Sequence, residues 1–275
     1  MIIAIIGTGR MGTAQARLAR AFADTIAFAI DSNPDAQSAF AAEFGTPCFA
    51  SPKQVPQELW GNLDLIWLVV CDNQIAQTAF ELAAYIHPQT TVFHTSGALS
   101  AQVLKQALPN TPCASLHPLI ACPLKSVSDN ACVETYQNII HSFEGDDNAI
   151  NLAKQVVSRI NGQFVQIQSD KKVLYHAAAV FASNYPITLL SVASKLFQTC
   201  GMPQELSISA ARRLLLQTDH AIQNADFVDA LTGPAKRRDT QTIEQHQQML
   251  QDFPQLLELY NLLLAETNNM LDSTP

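Results

Sequence analysis

The chain has 275 residues, of which 16 are basic and 24 acidic, and its formal net charge of -8 opposes any broad attraction to nucleic-acid phosphates or anionic lipid. A hydrophobic content of 48% supplies enough apolar side chain for a sizeable core, and the length fits two domains better than one small or three. The six cysteines (Cys48, Cys71, Cys113, Cys122, Cys132 and Cys200) form no CxxC pair and several sit in apolar runs, so they are expected to be reduced, in a cytoplasmic protein.

The first segment, Ile2 to Ile6, is apolar but lacks the basic flank and length of a secretory signal, and is read as a strand. From there to about residue 168, short β-branched runs alternate with stretches of helical period, the signature of a mainly parallel sheet with crossover helices. Further strands are expected at Thr25 to Ile30, Leu65 to Val70, Thr91 to His94, Ala114 to His117, Asn138 to Glu144 and Gln163 to Ile167. Helices are expected near 11–23, 34–44, 73–86, 99–107 and 147–161. Beyond Ser169 the strand pattern stops. Helices near 170–200, 203–225, 239–251 and 254–271 follow, with Pro203 and Pro254 in first turns, where a missing amide hydrogen costs nothing. The expected fold is therefore a Rossmann-type α/β domain over 1–168 and an all-helical domain over 169–275 for substrate and dimerisation. The apolar stretch Ala177 to Ala193, interrupted by Ser183, Asn184 and Pro186, suits a buried core helix better than a membrane span.

Gly7-Thr8-Gly9-Arg10-Met11-Gly12 is a GxGxxG that follows the first strand directly and opens the first helix. In that context Gly7 permits the tight turn, Gly9 lets the backbone approach a pyrophosphate, and Gly12 lets the helix pack close to the sheet. The helix N-terminus would meet the phosphates with unpaired amides and its positive dipole end. Arg10 would either add a cationic contact or stay solvated. Asp31 ends the second strand about 20 residues on, where a carboxylate accepts ribose hydroxyls and repels a 2′-phosphate; a turn or helix cap ahead of Pro34 is its alternative role. Ser32 and Asn33 add hydrogen bonds without charge, and no Lys or Arg appears before Lys53. The cofactor is thus NAD or NADP, with NAD favoured. Val70 and Asp72 at the end of the third strand, and Ser96 after the next, complete the expected cofactor contacts, Asp72 being also a candidate helix cap. His94 and His117 lie at carboxyl strand ends too, where open α/β sheets bind ligands. No two histidines share a ligand spacing with a carboxylate or thiol, so no metal is expected.

Lys172 and His176 are four residues apart on the first long helix of the second half and share a face, with Asn184 two turns beyond. Pro186 should kink that helix near Asn184. Hydride transfer needs a partner group to move a proton, a task for which His176 and Lys172 are both candidates. Asn184 would hold a substrate carbonyl or carboxylate, and His117 would approach from the sheet side. Each also has an ordinary structural reading, as an interface histidine, a solvated lysine or a bridging asparagine.

The segments GTGRMG, VVCDNQI (69–75), HTSGALS (94–100), SLHPL (115–119), KVLYHAAAVFASNY (172–185) and LTGPAKRRDTQTIEQH (231–246) resemble proteins with a Rossmann-like N-terminal domain and a DUF2520 C-terminal domain. These lie within the superfamily of 6-phosphogluconate, 3-hydroxyisobutyrate and prephenate dehydrogenases, pyrroline-5-carboxylate reductase and the coenzyme F420-dependent NADP reductases. The resemblance implies a nicotinamide-dependent oxidoreductase acting on a small carbonyl, hydroxy-acid or imine substrate bound between the domains. It implies a catalytic lysine and asparagine on the interdomain helix and a homodimer through the C-terminal helices. A pattern resembling GPxxRGD in relatives reads Gly233-Pro234-Ala235-Lys236-Arg237-Arg238-Asp239 here, with Arg238 at the second glycine. A dinucleotide-sensing dimer without turnover and an F420-linked NADP reductase are the competing functions.

Overall fold

The computed structural model describes residues 1–121 and 127–273, so Cys122 lies outside the described residues. The chain divides into two compact units, Met1–Asn184 and Tyr185–Pro275. The division falls inside the long helix rather than at the expected change of pattern near residue 168.

The first unit runs β1 (Ile2–Ile6), α1 (Arg10–Ala21), β2 (Thr25–Ile30), α2 (Pro34–Phe44), β3 (Cys48–Phe49), β4 (Leu65–Leu68), α3 (Asp72–Leu82), β5 (Thr91–His94), α4 (Gln102–Lys105), β6 (Cys113–Pro118), α5 (Asp129–Tyr136), β7 (Ile140–Gly145), α6 (Asp147–Ser158) and β8 (Gln163–Gln166). The strands form one sheet in the order β3-β2-β1-β4-β5-β6-β7-β8. All neighbours are parallel except β6 and β7. Alternate side chains feed two cores, as a sheet covered on both faces requires. Ile3, Ile5, Trp67 and Phe93 pack with Ala16, Ala19, Ala149 and Ala153 of α1 and α6, while Ala4, Ile6, Ile66 and Val92 pack with Ile75, Ala79 and Leu82 of α3.

Local chemistry sets several helix ends. At α2, the Asn33 side chain accepts from the amides of Asp35 and Ala36, Pro34 occupies the first turn, and Gly45 closes the helix at φ 64°. At the start of α10 (Thr240–Met249), Asp239 accepts from the Thr242 amide. Arg238, just before it, has a φ of 55°, the left-handed region that a glycine would occupy without strain. An arginine carries the left-handed residue of this turn.

The helix α7 (Lys172–Thr199) runs through Pro186. Its second half belongs to the second unit with α8 (Gln204–Asn224), α9 (Phe227–Ala230), α10 and α11 (Pro254–Asp272). A buried pair of hydroxyls, Ser194 and Ser207 at 3.0 Å, ties α7 to α8. The expectation of a buried core helix at Ala177 to Ala193 is overturned: only 6% of the apolar window of this helix is buried, and Phe181 and Ile187 are about 70% exposed. By length and composition alone Ser169–Thr199 is long and apolar enough to cross a membrane.

Candidate dinucleotide site and adjoining polar cluster

The sheet order reverses at β1, whose neighbours are β2 and β4, so a crevice opens beyond the carboxyl ends of β1 and β4. The glycine turn lies in it. Gly7 has φ 98°, and a Cβ there would meet the Val69 carbonyl oxygen at 2.9 Å. A Cβ on Gly12 would meet the Gly7 carbonyl oxygen at 1.9 Å, so the helix packs onto its own turn as the spacing predicts. At Gly9 nothing lies within 4 Å of a Cβ, so the turn is open at the residue that precedes α1.

A groove of about 600 Å³ extends from this turn, lined among others by Gly9, Asp31, Ser32, Val70, Cys71 and Glu81. No lysine or arginine is among the described residues lining it. Asp31 is also bound into the protein: its Oδ2 accepts from the amide and the hydroxyl of Thr8, both at 2.7 Å, and its Oδ1 accepts from the Asn33 amide at 2.9 Å. The carboxylate therefore braces the glycine turn, while capping of α2 falls to Asn33. Thr8 is buried with its amide committed. Met11 Sδ accepts from the hydroxyl of Tyr136, and Arg10 is exposed.

Beside the crevice, α3, β6, β7 and α7 converge on the loop after β5. Ser96 Oγ donates to Asp72 Oδ2 at 2.7 Å and accepts from the amides of Ala98 and Leu99, which uses the hydroxyl fully. Asp72 thus latches α3 to this loop instead of capping α3, where no side-chain cap forms. His94 Nδ1 accepts from the Ser96 amide and its Nε2 faces the Ser100 carbonyl at 3.3 Å, so the ring is neutral with its proton on Nε2. Burial drives its pKa down to about 3. The carboxylate of Glu144 from β7 accepts from the Ala101 amide and the Ser169 hydroxyl, both at 2.6 Å, tying the loop to the start of α7.

Lys172 is fully enclosed. Its Nζ donates to Ser115 Oγ at 2.7 Å and to the Ser96 carbonyl at 3.4 Å. Burial lowers its pKa to about 8, against the opposing pull of Glu144 and Asp72. His117 Nδ1 lies 3.0 Å from the Tyr175 hydroxyl. The His117 and His176 rings stand perpendicular with centroids 6.0 Å apart, and both occupy the space that a Cβ on Gly97 would need. The sequence-predicted Lys172, His176 and His117 are thus brought together with Ser96 and Asp72. Asn184 is not: it lies exposed roughly three turns along α7, where it accepts from the Ser183 hydroxyl. Sequence reasoning passed over Glu144, Ser115, Gly97 and Tyr175. The motifs HTSGALS, SLHPL and KVLYH contain three of them, but their roles arise from sheet pairings of β5, β6 and β7 that no local pattern encodes. Among the described residues no group of three metal-binding side chains gathers.

Residues 139–267 match the family model of DUF2520, a domain of unknown function. No curated protein matches the chain. Among solved structures, a provisionally assigned NADP oxidoreductase from Bacteroides fragilis is 20% identical, with a TM-score of 0.76 over 98% of each chain. The 1-pyrroline-5-carboxylate reductase of Streptococcus pyogenes is 16% identical, with a TM-score of 0.65 over 98% of each chain. The prephenate dehydrogenase of A. aeolicus, in complex with hydroxyphenyl propionate and NAD+, is 16% identical with a TM-score of 0.57 over 98% of this chain and 85% of the other. These likenesses establish the fold, a Rossmann-like sheet domain followed by a helical region.

Proposed function

We propose that this chain, a Rossmann-like sheet joined to a DUF2520 region, is a cytoplasmic NAD(P)-dependent oxidoreductase acting on a small carbonyl, hydroxy-acid or imine substrate. The observation that carries this reading is an open glycine turn at the carboxyl end of β1 together with, beyond the carboxyl end of β5 in the same sheet, a buried lysine with one unused position on its nitrogen. A bound nicotinamide would supply or accept the hydride. The chain's part is to hold the dinucleotide and to move the accompanying proton. The open amides at the start of α1 suit the diphosphate. Thr8 does not contribute its amide, which Asp31 holds. Asp31 Oδ1 keeps acceptor capacity for a ribose hydroxyl, and its charge, with Glu81 and no lysine or arginine among the described residues lining the groove, favours NAD over NADP.

As an uncharged amine, Lys172 gives its two N–H groups to Ser115 and Ser96 and keeps a lone pair; as an ammonium it holds a third proton in that place. With a pKa near 8 both forms are accessible at neutral pH, which is what reversible proton transfer requires. In a screen of 2-oxo acids, hydroxy acids and cyclic imines, Lys172→Met is expected to lower turnover at least about 100-fold and to leave nucleotide affinity within twofold. Wild-type turnover in that variant contradicts the assignment.

The full enclosure of Lys172 favours a second reading, a dinucleotide sensor without turnover. Tight nucleotide binding with no hydride exchange on any substrate class of the screen supports that reading instead. A homodimer through the C-terminal helices belongs to the same proposal, because α7 presents Val173, Leu174, Phe181 and Ile187 outward.

A further inference from the structure

His117 and Tyr175 meet where β6 ends and α7 begins, and their chemistry fixes more than their positions. The Tyr175 hydroxyl lies 3.0 Å from His117 Nδ1, with the two rings perpendicular and their centroids 5.6 Å apart. Burial raises the pKa of Tyr175, against the opposing pull of a side-chain contact with Ser142, so the hydroxyl is protonated at neutral pH. The groups facing His117 are Lys172, Tyr175 and His176 on α7, His141 on β7 and His94 on β5. Burial first, then Lys172, His176 and His141, hold its pKa at about 4, and the ring stays neutral.

A neutral imidazole that accepts at Nδ1 carries its one proton on Nε2. That nitrogen faces the space that a side chain at residue 97 would fill: a Cβ on Gly97 would sit 2.9 Å from His117 Nε2 and 2.6 Å from His176 Nδ1. Only glycine lets both rings approach. His176 Nδ1 is buried there and has no hydrogen-bond partner among the described residues.

We infer that Tyr175 is a positioning residue that locks His117 in the tautomer protonated on Nε2, so that His117 offers an uncharged N–H donor to the substrate at the Gly97 side of the cluster. The inference rests on the oxidoreductase reading and divides its labour. Lys172 moves the proton, while His117 polarises an acceptor atom and releases none. A carbonyl oxygen suits such a donor; a protonated imine has no lone pair to offer it. The substrate class narrows accordingly to carbonyl and hydroxy compounds.

Two-bond ¹H–¹⁵N correlation NMR on histidine-labelled protein tests this without a substrate, with the His117 signals assigned through His117→Gln. The wild type is expected to show His117 protonated on Nε2 alone from about pH 8 down to about pH 5. Tyr175→Phe should convert that to a mixture of both tautomers and leave nucleotide affinity within twofold. A wild-type proton on Nδ1, or an unchanged single tautomer in Tyr175→Phe, overturns the inference. The wild-type spectrum decides even if the variant folds poorly. Titration of the same samples with NAD and NADP separates the two claims, since absent nucleotide binding removes the oxidoreductase reading while the tautomer is still read directly.

Discussion

His94 shows how a single side chain converts sequence into both architecture and pH response. Its two ring nitrogens are committed to the Ser96 amide and the Ser100 carbonyl, so a second proton would point an N–H at an N–H. With His117 and His141, whose pKa values are both near 4, it forms a set of histidines buried in uncharged form. In the unfolded chain these rings take a proton near their ordinary value of 6.5; folded, only two or more units lower. The unfolded state therefore binds more protons in that window, and stability falls as the pH drops through it. Between pH 7 and pH 5 each should cost on the order of 2 kcal/mol, read as a shift in the urea midpoint. A midpoint that does not move over that range contradicts the account. Gly97 is the companion case, a glycine retained for the approach of two imidazoles rather than for its own φ.

At the scale of elements, the sequence was most legible where one local rule dominates. The run Ile2 to Ile6 and the glycine loop define β1 and α1, and Asn33-Pro34 with Gly45 bounds α2. The two-residue β3 carries too little pattern to read, and α5, whose apolar face is only Cys132, Val133 and Tyr136 within eight residues, is too short to show a helical period, so both were missed. The helix expected at 99–107 shortens to α4 because Ser96 and Glu144 hold the preceding amides in a loop. Of the candidate site, the glycine turn, Asp31, Lys172 and His176 could be found because spacing along the chain places them. Glu144 and Ser115 could not, since they join it only through the pairing of β6 with its neighbours. Arg238 gives this scale its own prediction. Its ion pair with Asp272 is exposed and contributes little, whereas its left-handed backbone is strained. Arg238→Gly should raise stability by about 0.5–1 kcal/mol; a loss of that size in denaturant melts would show that the side chain matters more than the turn.

For the whole molecule, the first unit carries a complete crevice and polar cluster, and the second is a set of helices with apolar side chains turned outward. Leu206, Leu216 and Phe227 are at least 60% exposed, as are Val173, Leu174 and Phe181 on α7, a surface that a lone soluble chain rarely presents. Light scattering after gel filtration should give twice the mass of one chain, with Phe181→Glu shifting it toward one; a wild-type monomer contradicts the dimer. Both claims are secondary to the crevice at β1 and β4, which Gly9 tests most cleanly, because a Cβ there meets nothing within 4 Å and its backbone, at φ -63°, is extended. Titration of the wild type with NAD, NADH, NADP and NADPH should give saturable binding, tighter for the forms without the 2′-phosphate, and Gly9→Asp should abolish it at an unchanged melting temperature. Equal affinity in wild type and Gly9→Asp, or no binding of any of the four to the wild type, would contradict the assignment of this crevice to a dinucleotide.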